Sequence, residues 1–452
     1  MAEFQRFTYR SIDALKADIS RLGLNIPVTD DLSPLAAPVK IGTRTAANAF
    51  AVLPMEGFDC SRDGVPSDLT HRRYMRYGAG GAGLIWFEAC AVVPEGKSNP
   101  CQMILTEENL GAYKALVSDL NNVAEESVGF KPLNILQISH SGRYSRPNDL
   151  AKKEPVIVKH DPEFDARVGI DETYPVQTDE ELEALIPAFV RAAVLAKEAG
   201  FDGVDVKTCH RYLFSELMSC YNRPGKFGGS LENRAALPIA IIKEIRRVCG
   251  DDFIIVSRFS VFDFHPYPVG FGASPDKGFP IADEAIELVK MLVAAGADLL
   301  SASGGDVYKV PYVTRPFNQG VIGGTTPPEH PLEGVARHMD FAREMKKAAG
   351  DVPFIGTCYT WLREYLPNVG AAVIAEGGID MIGFGRGAFA YPDMPKDVFT
   401  AKIDPKKVCT ACSKCTQIMR DGGKIGCPVR DADIYVPIYR EYRAKMEAQA
   451  GK

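Results

Sequence analysis

The chain has 452 residues, of which 46% are hydrophobic and 24% charged, and its formal net charge is −6. This length suits one large α/β domain with an appendage, and the composition is that of a globular protein. The acidic balance and the lack of a long basic run exclude nucleic acid as the main partner. Neither a signal-peptide core nor a run of about 18 apolar residues occurs, so we expect a cytoplasmic protein without a membrane segment.

An N-terminal arm, residues 1–40, comes first. Ile12, Leu15, Ile19 and Leu22 recur at helical spacing. Such spacing predicts an amphipathic helix over residues 11–23, with its apolar face packed on the main body. We expect this arm to be structural.

Short apolar runs alternate with helical patterns from residue 48 onward. The runs lack polar alternation, which is typical of strands covered on both faces. The predicted strands are Phe50–Met55, Gly83–Ala89, Leu133–Ser139, Gly203–Val206, Phe253–Arg258, Asp298–Ala302, Pro353–Gly356 and Met381–Gly385.

Helical patterns fill the intervals between these runs, beginning after Leu69. The clearest helix starts with a capping box at Thr178–Glu181 and ends before Gly200. The other predicted helices are Glu107–Ala124, Glu232–Val248, Ala282–Ala295, Gly334–Ala349 and Trp361–Ala375.

Eight alternating strands and helices predict a (β/α)8 TIM barrel over residues 41–398. The alternative is a doubly wound open sheet. That fold would place a Gly-rich dinucleotide turn after the first strand, and residues 57–64 do not form one. Two long loops, 262–280 and 304–333, follow strands, so we expect them on the catalytic face.

A polar cluster follows the fourth strand, Gly203–Val206. Lys207, His210, Arg211 and Tyr212 all lie within six residues of its end, and Ser230 then caps the next helix. Polar side chains at the carboxyl end of a barrel strand indicate an active-site edge, and the alternative is a solvated loop.

The segments FDGVD-x4-H-x-YL and NRPGKFGGSLENR carry a family resemblance. They resemble the old yellow enzyme family and its relatives, the 2,4-dienoyl-CoA reductases and trimethylamine dehydrogenases. The resemblance extends over residues 38–430. It implies an FMN-dependent enzyme of the ene-reductase type, built on a TIM barrel.

The resemblance implies contacts to the flavin ring at several strand ends. Ala89 would let the ring approach closely, and Gln137 would offer its pyrimidine edge a donor and an acceptor together. Arg258 would stabilise the negative charge of reduced flavin. The implied ring contacts are Pro54, Met55, Glu56, Ala89, Gln137 and Arg258.

Glu56 departs from the family pattern, because relatives carry Thr or Cys at this position. Its alternative role is an ion pair with Arg72 or Arg73. The FMN phosphate is expected at the ends of the last two strands, where such barrels hold phosphates. The implied cradle is Gly356, Thr357, Gly385 and Arg386.

The fourth-strand cluster would then carry the chemistry. Lys207, usually His in relatives, and His210 would stabilise the carbonyl oxygen of an unsaturated substrate. Tyr212 would protonate its α-carbon as a general acid. Together with Arg211, these cations predict an anionic substrate, such as a carboxylate or a CoA thioester.

Four cysteines in the C-terminal extension, residues 399–452, have ligand-like spacing: Cys409, Cys412, Cys415 and Cys427. Four thiolates so spaced bind either zinc or an iron–sulfur cluster, and the Cys-Pro ending favours [4Fe–4S]. Relatives of the dienoyl-CoA reductase branch carry a similar cluster, with a second gap of three residues in place of two. The other seven cysteines are scattered, and we expect no disulfides.

The larger relatives continue into FAD- and NAD-binding domains, which this sequence does not contain. Electrons would therefore come from NAD(P)H directly or from an electron-donor protein. The sequence leaves a homo-oligomer open. The other functions considered are a flavin-dependent amine dehydrogenase, a Schiff-base lyase that uses Lys207, and a non-catalytic electron-transfer protein or scaffold.

Overall fold

A closed barrel of parallel strands forms the body of the protein in the computed structural model, which describes residues 3–450. The strands are β1 (Val39–Ile41), β2 (Arg44–Ala46), β3 (Phe50–Val52), β4 (Leu84–Ala91), β5 (Met103–Ile104), β6 (Leu133–Ser139), β7 (Gly203–Val206), β8 (Ile254–Phe262), β9 (Leu299–Gly304), β10 (Phe354–Gly356) and β11 (Met381–Phe384).

Eight of these strands run in the order β3-β4-β6-β7-β8-β9-β10-β11, and β11 pairs again with β3. Ile382 lies opposite Phe50 in this last pairing, which is parallel like the others of the barrel. The predicted (β/α)8 barrel is therefore confirmed, and the open-sheet alternative is wrong. The short strand β5 adds to the outside of β4.

Helices surround the barrel and continue beyond it. They are α1 (Ile12–Arg21), α2 (Asp68–Gly78), α3 (Leu110–Val128), α4 (Pro162–Val168), α5 (Asp179–Glu183), α6 (Leu185–Glu198), α7 (Leu213–Leu217), α8 (Leu231–Cys249), α9 (Asp283–Ala295), α10 (Pro311–Thr314), α11 (Pro331–Ala349), α12 (Leu366–Ala375), α13 (Arg386–Ala390), α14 (Met394–Phe399), α15 (Lys414–Arg420) and α16 (Ala432–Ala450). Four short 3₁₀ helices are Ser33–Ala36, Pro94–Gly96, Gly142–Tyr144 and Tyr359–Tyr365.

The N-terminal arm packs as expected. Ser11 caps α1 by accepting a hydrogen bond from the amide of Ala14, and α1 buries Leu15 and Ile19. The hairpin of β1 and β2 then places Ile41 and Ala46 among the apolar side chains that fill the barrel interior. The arm and the hairpin thus add apolar burial to the barrel, and Phe7 of the arm also packs against Trp361.

Two differences from the predicted element bounds follow from proline residues, and a third follows from the backbone conformation of Arg363. The first strand ends at Val52 and not at Met55, since Pro54 cannot donate a ladder hydrogen bond. The helix expected over 179–199 keeps its Thr178 capping box but is divided after Glu183, where Pro187 lacks the amide that would bond back to residue 183. The helix expected from Trp361 begins as a 3₁₀ helix, and α12 follows only after Arg363, whose φ is 55°.

A buried ion network fixes the loop that follows β3. Arg73 on α2 binds both Asp59 and Glu88, and all three side chains are almost fully buried. Glu88 also accepts a 2.6 Å hydrogen bond from the amide of Gly57. Glu88 thus has a structural role, and it fixes the backbone next to Glu56.

Along residues 3–450, every helix is too short or too polar to span a lipid bilayer.

Replacing Arg73 should destabilise the fold strongly. Arg73→Met keeps much of the side-chain volume but leaves Asp59 and Glu88 buried without their cation, which costs about 3–5 kcal/mol of unfolding free energy. Urea unfolding measures this loss of free energy, provided that the two proteins have the same m-value. The control is Arg191→Met, because Arg191 forms an exposed pair with Glu107 and such pairs contribute little. Equal losses in the two variants would contradict the assignment.

Candidate active site

A cavity of about 650 Å³ opens at the carboxyl ends of the barrel strands. Most of the residues predicted for the site line it, and they come from elements far apart in sequence. Those present are Pro54, Met55, Glu56, Ala89, Gln137, Lys207, His210, Tyr212, Arg258, Thr357, Gly385, Arg386, Cys409 and Cys415. Gly356, Cys412 and Cys427 are not in the lining.

Gly356 lies in the barrel wall. A Cβ atom there would come within 3.0 Å of Ile379 and Tyr359, so its Cα–H side packs against these two residues. The contact expected between its backbone and the phosphate stays a prediction. Gly383, two residues before Gly385, lines the cavity and was missed by the sequence.

A buried carboxyl group organises the floor of the cavity. Gln137 donates a 2.6 Å hydrogen bond to Oδ2 of Asp205, and the amide of Arg258 donates a 2.8 Å bond to Oδ1. Burial raises the pKa of Asp205 from 3.8 to about 7, although both hydrogen bonds favour the charged form. Asp205 was missed, and its only signal in the sequence is an acidic residue inside an apolar strand.

The guanidinium group of Arg258 also lines the cavity. Its Nε atom is buried and has no hydrogen-bond partner among the described residues. Because a buried donor without a partner is costly, this atom fits an anionic or acceptor group of a ligand. A flavin pyrimidine ring has such groups.

His210 is held in a tight turn after β7. Its φ is 68° and that of Arg211 is 56°, so two consecutive residues adopt the left-handed conformation. A ring nitrogen of His210 lies 2.9 Å from the hydroxyl of Ser303 on β9. Burial, aided by Arg258 and Lys207, lowers the pKa of His210 well below its ordinary value, so the imidazole is neutral.

Arg211 points away from the cavity, because neighbouring residues in this turn direct their side chains to different sides. Its guanidinium lies 3.1 Å from Asp263 and 4.1 Å from the ring centre of Phe164. The expectation that Arg211 adds charge to the substrate pocket is wrong. Its charge is compensated by Asp263 in the wall of the barrel.

Tyr212 stands between a cation and an acid. The Nζ atom of Lys207 is 3.9 Å from the centre of the Tyr212 ring, and the Tyr212 hydroxyl donates a 3.4 Å hydrogen bond to Oε1 of Glu56. Burial lowers the pKa of Lys207. Burial and the Glu56 carboxylate together raise the pKa of Tyr212 well above its ordinary value.

Glu56 forms neither of the ion pairs considered for it. Arg72 binds Asp431, and Arg73 binds Asp59 and Glu88. The second carboxylate oxygen of Glu56 instead accepts a 2.6 Å bond from the hydroxyl of Ser98. Glu56 therefore belongs to the polar group around Tyr212.

Two arginines occupy the far end of the cavity. Arg386, at the start of α13, and Arg315, from the 304–333 loop, both donate to the hydroxyl of Thr416, at 3.3 and 2.9 Å. No carboxylate lies within ion-pair distance of either guanidinium in the described part of the chain. Burial beside Arg386 lowers the pKa of Arg315 to about 9, so this end of the cavity favours an anion strongly.

Three aromatic rings, those of Tyr144, Tyr212 and Tyr308, also line the cavity. The rings of Tyr144 and Tyr308 stack at 3.8 Å, and the Tyr212 ring lies 6.5 Å from that of Tyr144. Tyr308 comes from the 304–333 loop, which was expected on this face. Flat aromatic walls suit a planar substrate.

Comparison with known proteins agrees with this geometry. Residues 34–292, more than half of the chain, match the model of the NADH:flavin oxidoreductase / NADH oxidase family. The chain belongs to this family.

Two characterised members are similar over most of the chain. A NADH oxidase of Thermoanaerobacter brockii is 30% identical over 380 residues, which cover 83% of this chain and 52% of that protein. A cinnamate reductase of Clostridium sporogenes is 30% identical over 427 residues, covering 89% of this chain and 58% of that protein. The chain thus spans little more than half the length of these members.

A solved structure of the same architecture is that of 2-naphthoyl-CoA reductase in complex with 2-naphthoyl-CoA. It aligns with a TM-score of 0.71 and 26% identity, over 91% of this chain and 58% of that one. The alignment therefore extends past the barrel into the C-terminal segment that holds the four cysteines.

The four cysteines of this family member lie near one another beside the cavity. Burial raises the pKa of Cys409 to about 12, and the other three thiols add to this effect. Within residues 3–450, however, no three His, Cys, Asp or Glu side chains are gathered around one metal position. The donor chemistry fits a tetrathiolate site, and the metal itself remains a prediction.

Asp205 should make stability depend on pH. The folded chain binds the Asp205 proton more tightly than the unfolded chain does. The contribution of Asp205 to the free energy of unfolding therefore falls as pH rises from 3.8 to about 7. The Asp205→Asn variant cannot ionise at this position. Between pH 3.8 and about 7, its free energy of unfolding should therefore fall by about 2–4 kcal/mol less than that of the wild type. Urea unfolding at several pH values measures the difference, with the exposed Asp276→Asn as control. Parallel pH profiles for wild type and Asp205→Asn would contradict the assignment.

Proposed function

We propose that this chain is an FMN-dependent ene-reductase that reduces an activated alkene conjugated to a carbonyl group, and that the substrate is anionic. The observation that carries the proposal is the placement of Lys207, His210 and Tyr212 together on one side of a cavity whose floor and far end hold unpaired arginines. The cinnamate reductase similarity supports the substrate class, since cinnamate is an unsaturated carboxylate.

FMN, when bound and reduced, supplies a hydride to the alkene. The residues that would hold it are distributed along the cavity. Gln137 and Arg258 would bind the pyrimidine edge, where Asp205 fixes the Gln137 amide and Arg258 Nε lacks a partner. Arg386 and Arg315 would bind the phosphate, together with Thr357 and Gly385.

The substrate's carbonyl oxygen would be held by Lys207 and His210. A neutral His210 can donate one N–H bond without adding a second charge beside Lys207. Negative charge develops on that oxygen during the reaction, and preorganised donors stabilise it more than water does. Tyr212 would then transfer its hydroxyl proton to the α-carbon.

The charge of the cavity supports an anionic substrate and disfavours an amine. Lys207, Arg258, Arg315 and Arg386 all line it, and among residues 3–450 Glu56 is the one carboxylate in the lining. A substrate ammonium group would be repelled by these cations. An oxidative amine dehydrogenase is therefore less well supported.

A Schiff-base lyase keeps one observation in its favour. Burial lowers the pKa of Lys207, and a neutral amine is the form that attacks carbonyl carbons. Borohydride treatment separates the two functions. Covalent trapping of a carbonyl substrate on Lys207 in a protein without flavin would replace the reductase proposal.

We also propose the organisation of the chain: an arm over 1–40, an FMN-binding barrel over 41–398 and a cysteine-cluster segment over 399–452. The four cysteines would bind a [4Fe–4S] cluster, and the alternative is a zinc ion. Cys409 and Cys415 line the same cavity as Arg386, so a cluster there would lie close to the FMN phosphate end. Such a position suits electron entry from a partner protein, while NAD(P)H docking over the open cavity is the direct route.

Anaerobically purified protein should be coloured by both cofactors. Flavin bands and a broad iron–sulfur absorption should appear together, with about four iron atoms per chain, as four cysteines ligate such a cluster. Cys412→Ser should lose the iron and keep the flavin, because Cys412 does not line the cavity. The matched control is Cys249→Ser, a cysteine far from the cluster in sequence. A colourless protein that does not retain added FMN would contradict the proposal.

Removing the Tyr212 hydroxyl should abolish the proton transfer selectively. Tyr212→Phe should reduce the rate of alkene reduction by about 10²–10⁴-fold, the range of general acid catalysis. Flavin reduction by NADH should persist, since that half-reaction does not need this proton. The control is Tyr221→Phe, whose hydroxyl binds Glu284 outside the cavity. Rapid mixing of reduced enzyme with cinnamate measures the effect, and an unchanged rate would remove Tyr212 from the mechanism.

A further inference from the structure

We propose that Glu56 is the residue that supplies Tyr212 with the proton that Tyr212 delivers to the substrate. The inference rests on the proposed function. The family resemblance implies Thr or Cys at position 56, so a relay through Glu56 departs from the expected family pattern.

The geometry around Glu56 separates its two oxygens into different roles. Oε2 accepts a 2.6 Å hydrogen bond from the hydroxyl of Ser98, and the amide of Asn99 lies 3.4 Å away. Oε1 lies 3.4 Å from the hydroxyl of Tyr212. Ser98 and Asn99 are both buried, so they hold the carboxyl group with Oε1 turned to Tyr212.

The charged surroundings leave Glu56 free for proton transfer. No lysine or arginine lies within ion-pair distance of its carboxylate in the part of the chain that the structure describes. The titratable groups that face it are Lys207 and Tyr212 from the segment after β7 and Tyr308 from the 304–333 loop. The carboxyl group of Glu56 is thus bound through hydrogen bonds to Ser98 and Tyr212 and not through an ion pair.

The step balances without any further reactant. The O–H bond of Tyr212 breaks as the new C–H bond forms at the α-carbon. The O–H bond on Oε1 of Glu56 then breaks as the hydroxyl of Tyr212 forms again. Glu56 is left as a carboxylate and is protonated from solvent, and the two electrons of the reduction arrive with the hydride.

Physical chemistry explains why Tyr212 needs this supply. A phenolate on Tyr212 is unfavourable, since burial and a nearby carboxylate both raise the pKa of Tyr212. Proton delivery from Glu56 converts the phenolate back to a phenol and leaves the single negative charge of the pair on the carboxylate, which is the more acidic group. In the resting enzyme the Tyr212 hydroxyl donates to Oε1, and protonation of Oε1 frees that hydroxyl for the substrate.

The kinetic test follows alkene reduction in prereduced holoenzyme mixed with cinnamate. Glu56→Gln should slow flavin reoxidation by about 10²-fold, the lower end of general acid–base effects. The wild-type rate should fall as pH rises and Glu56 loses its proton, and this limb should vanish in Glu56→Gln. The matched control is Glu107→Gln, an exposed carboxyl paired with Arg191. Unchanged rate and pH profile in Glu56→Gln would overturn the relay.

A second measurement needs no turnover. In holoenzyme labelled with [ζ-¹³C]tyrosine, the Tyr212 resonance is the one lost in Tyr212→Phe. At neutral pH its chemical shift should change in Glu56→Gln, since the Tyr212 hydroxyl no longer donates to a carboxylate. An unchanged Tyr212 chemical shift would overturn the relay. If wild-type flavin is not reoxidised by cinnamate or other unsaturated acids, the proposed function fails, and the chemical shift still decides the Glu56–Tyr212 hydrogen bond.

Discussion

The parallel pairing of β11 with β3 is the constraint on which the rest of the site depends. It joins the last barrel strand to the first through Ile382 and Phe50, so the carboxyl ends of all eight strands face the same way. Residues after β3, such as Glu56, thereby come beside residues after β7, such as Tyr212. Closure thus brings together acid, phenol and guanidinium groups that are up to several hundred residues apart in the chain.

The buried arginines of the barrel fall into two kinds, those with a carboxylate partner and those without one. Arg73 and Arg211 are buried cations with buried carboxylate partners, and both support the barrel wall. Arg258, Arg315 and Arg386 are cavity cations that have no carboxylate partner among residues 3–450. Buried charge without a partner is costly to a fold, and proteins retain it where a ligand supplies the missing counter-charge. The family membership and this charge pattern point to the same kind of ligand.

Sequence reasoning found the residues that follow strands directly, because a strand end fixes their location. Lys207, His210 and Tyr212 are of this kind. It missed Tyr308 and Arg315, which sit in a long loop whose path depends on tertiary packing. It also assigned Arg211 to the pocket, since linear spacing does not show that a left-handed turn directs two neighbouring side chains to opposite sides.

Hydrogen bonds from Arg386 and Arg315 to Thr416 connect the barrel to the C-terminal segment. Arg386 reaches it from the end of the barrel and Arg315 from the loop above, while Thr416 itself follows one of the four cysteines. An anion that binds the two guanidinium groups therefore changes their hydrogen bonds to the Thr416 hydroxyl. Anion binding in the barrel and packing of the C-terminal segment are therefore thermodynamically linked, so that an occupied cavity changes the stability of the segment that holds the four cysteines.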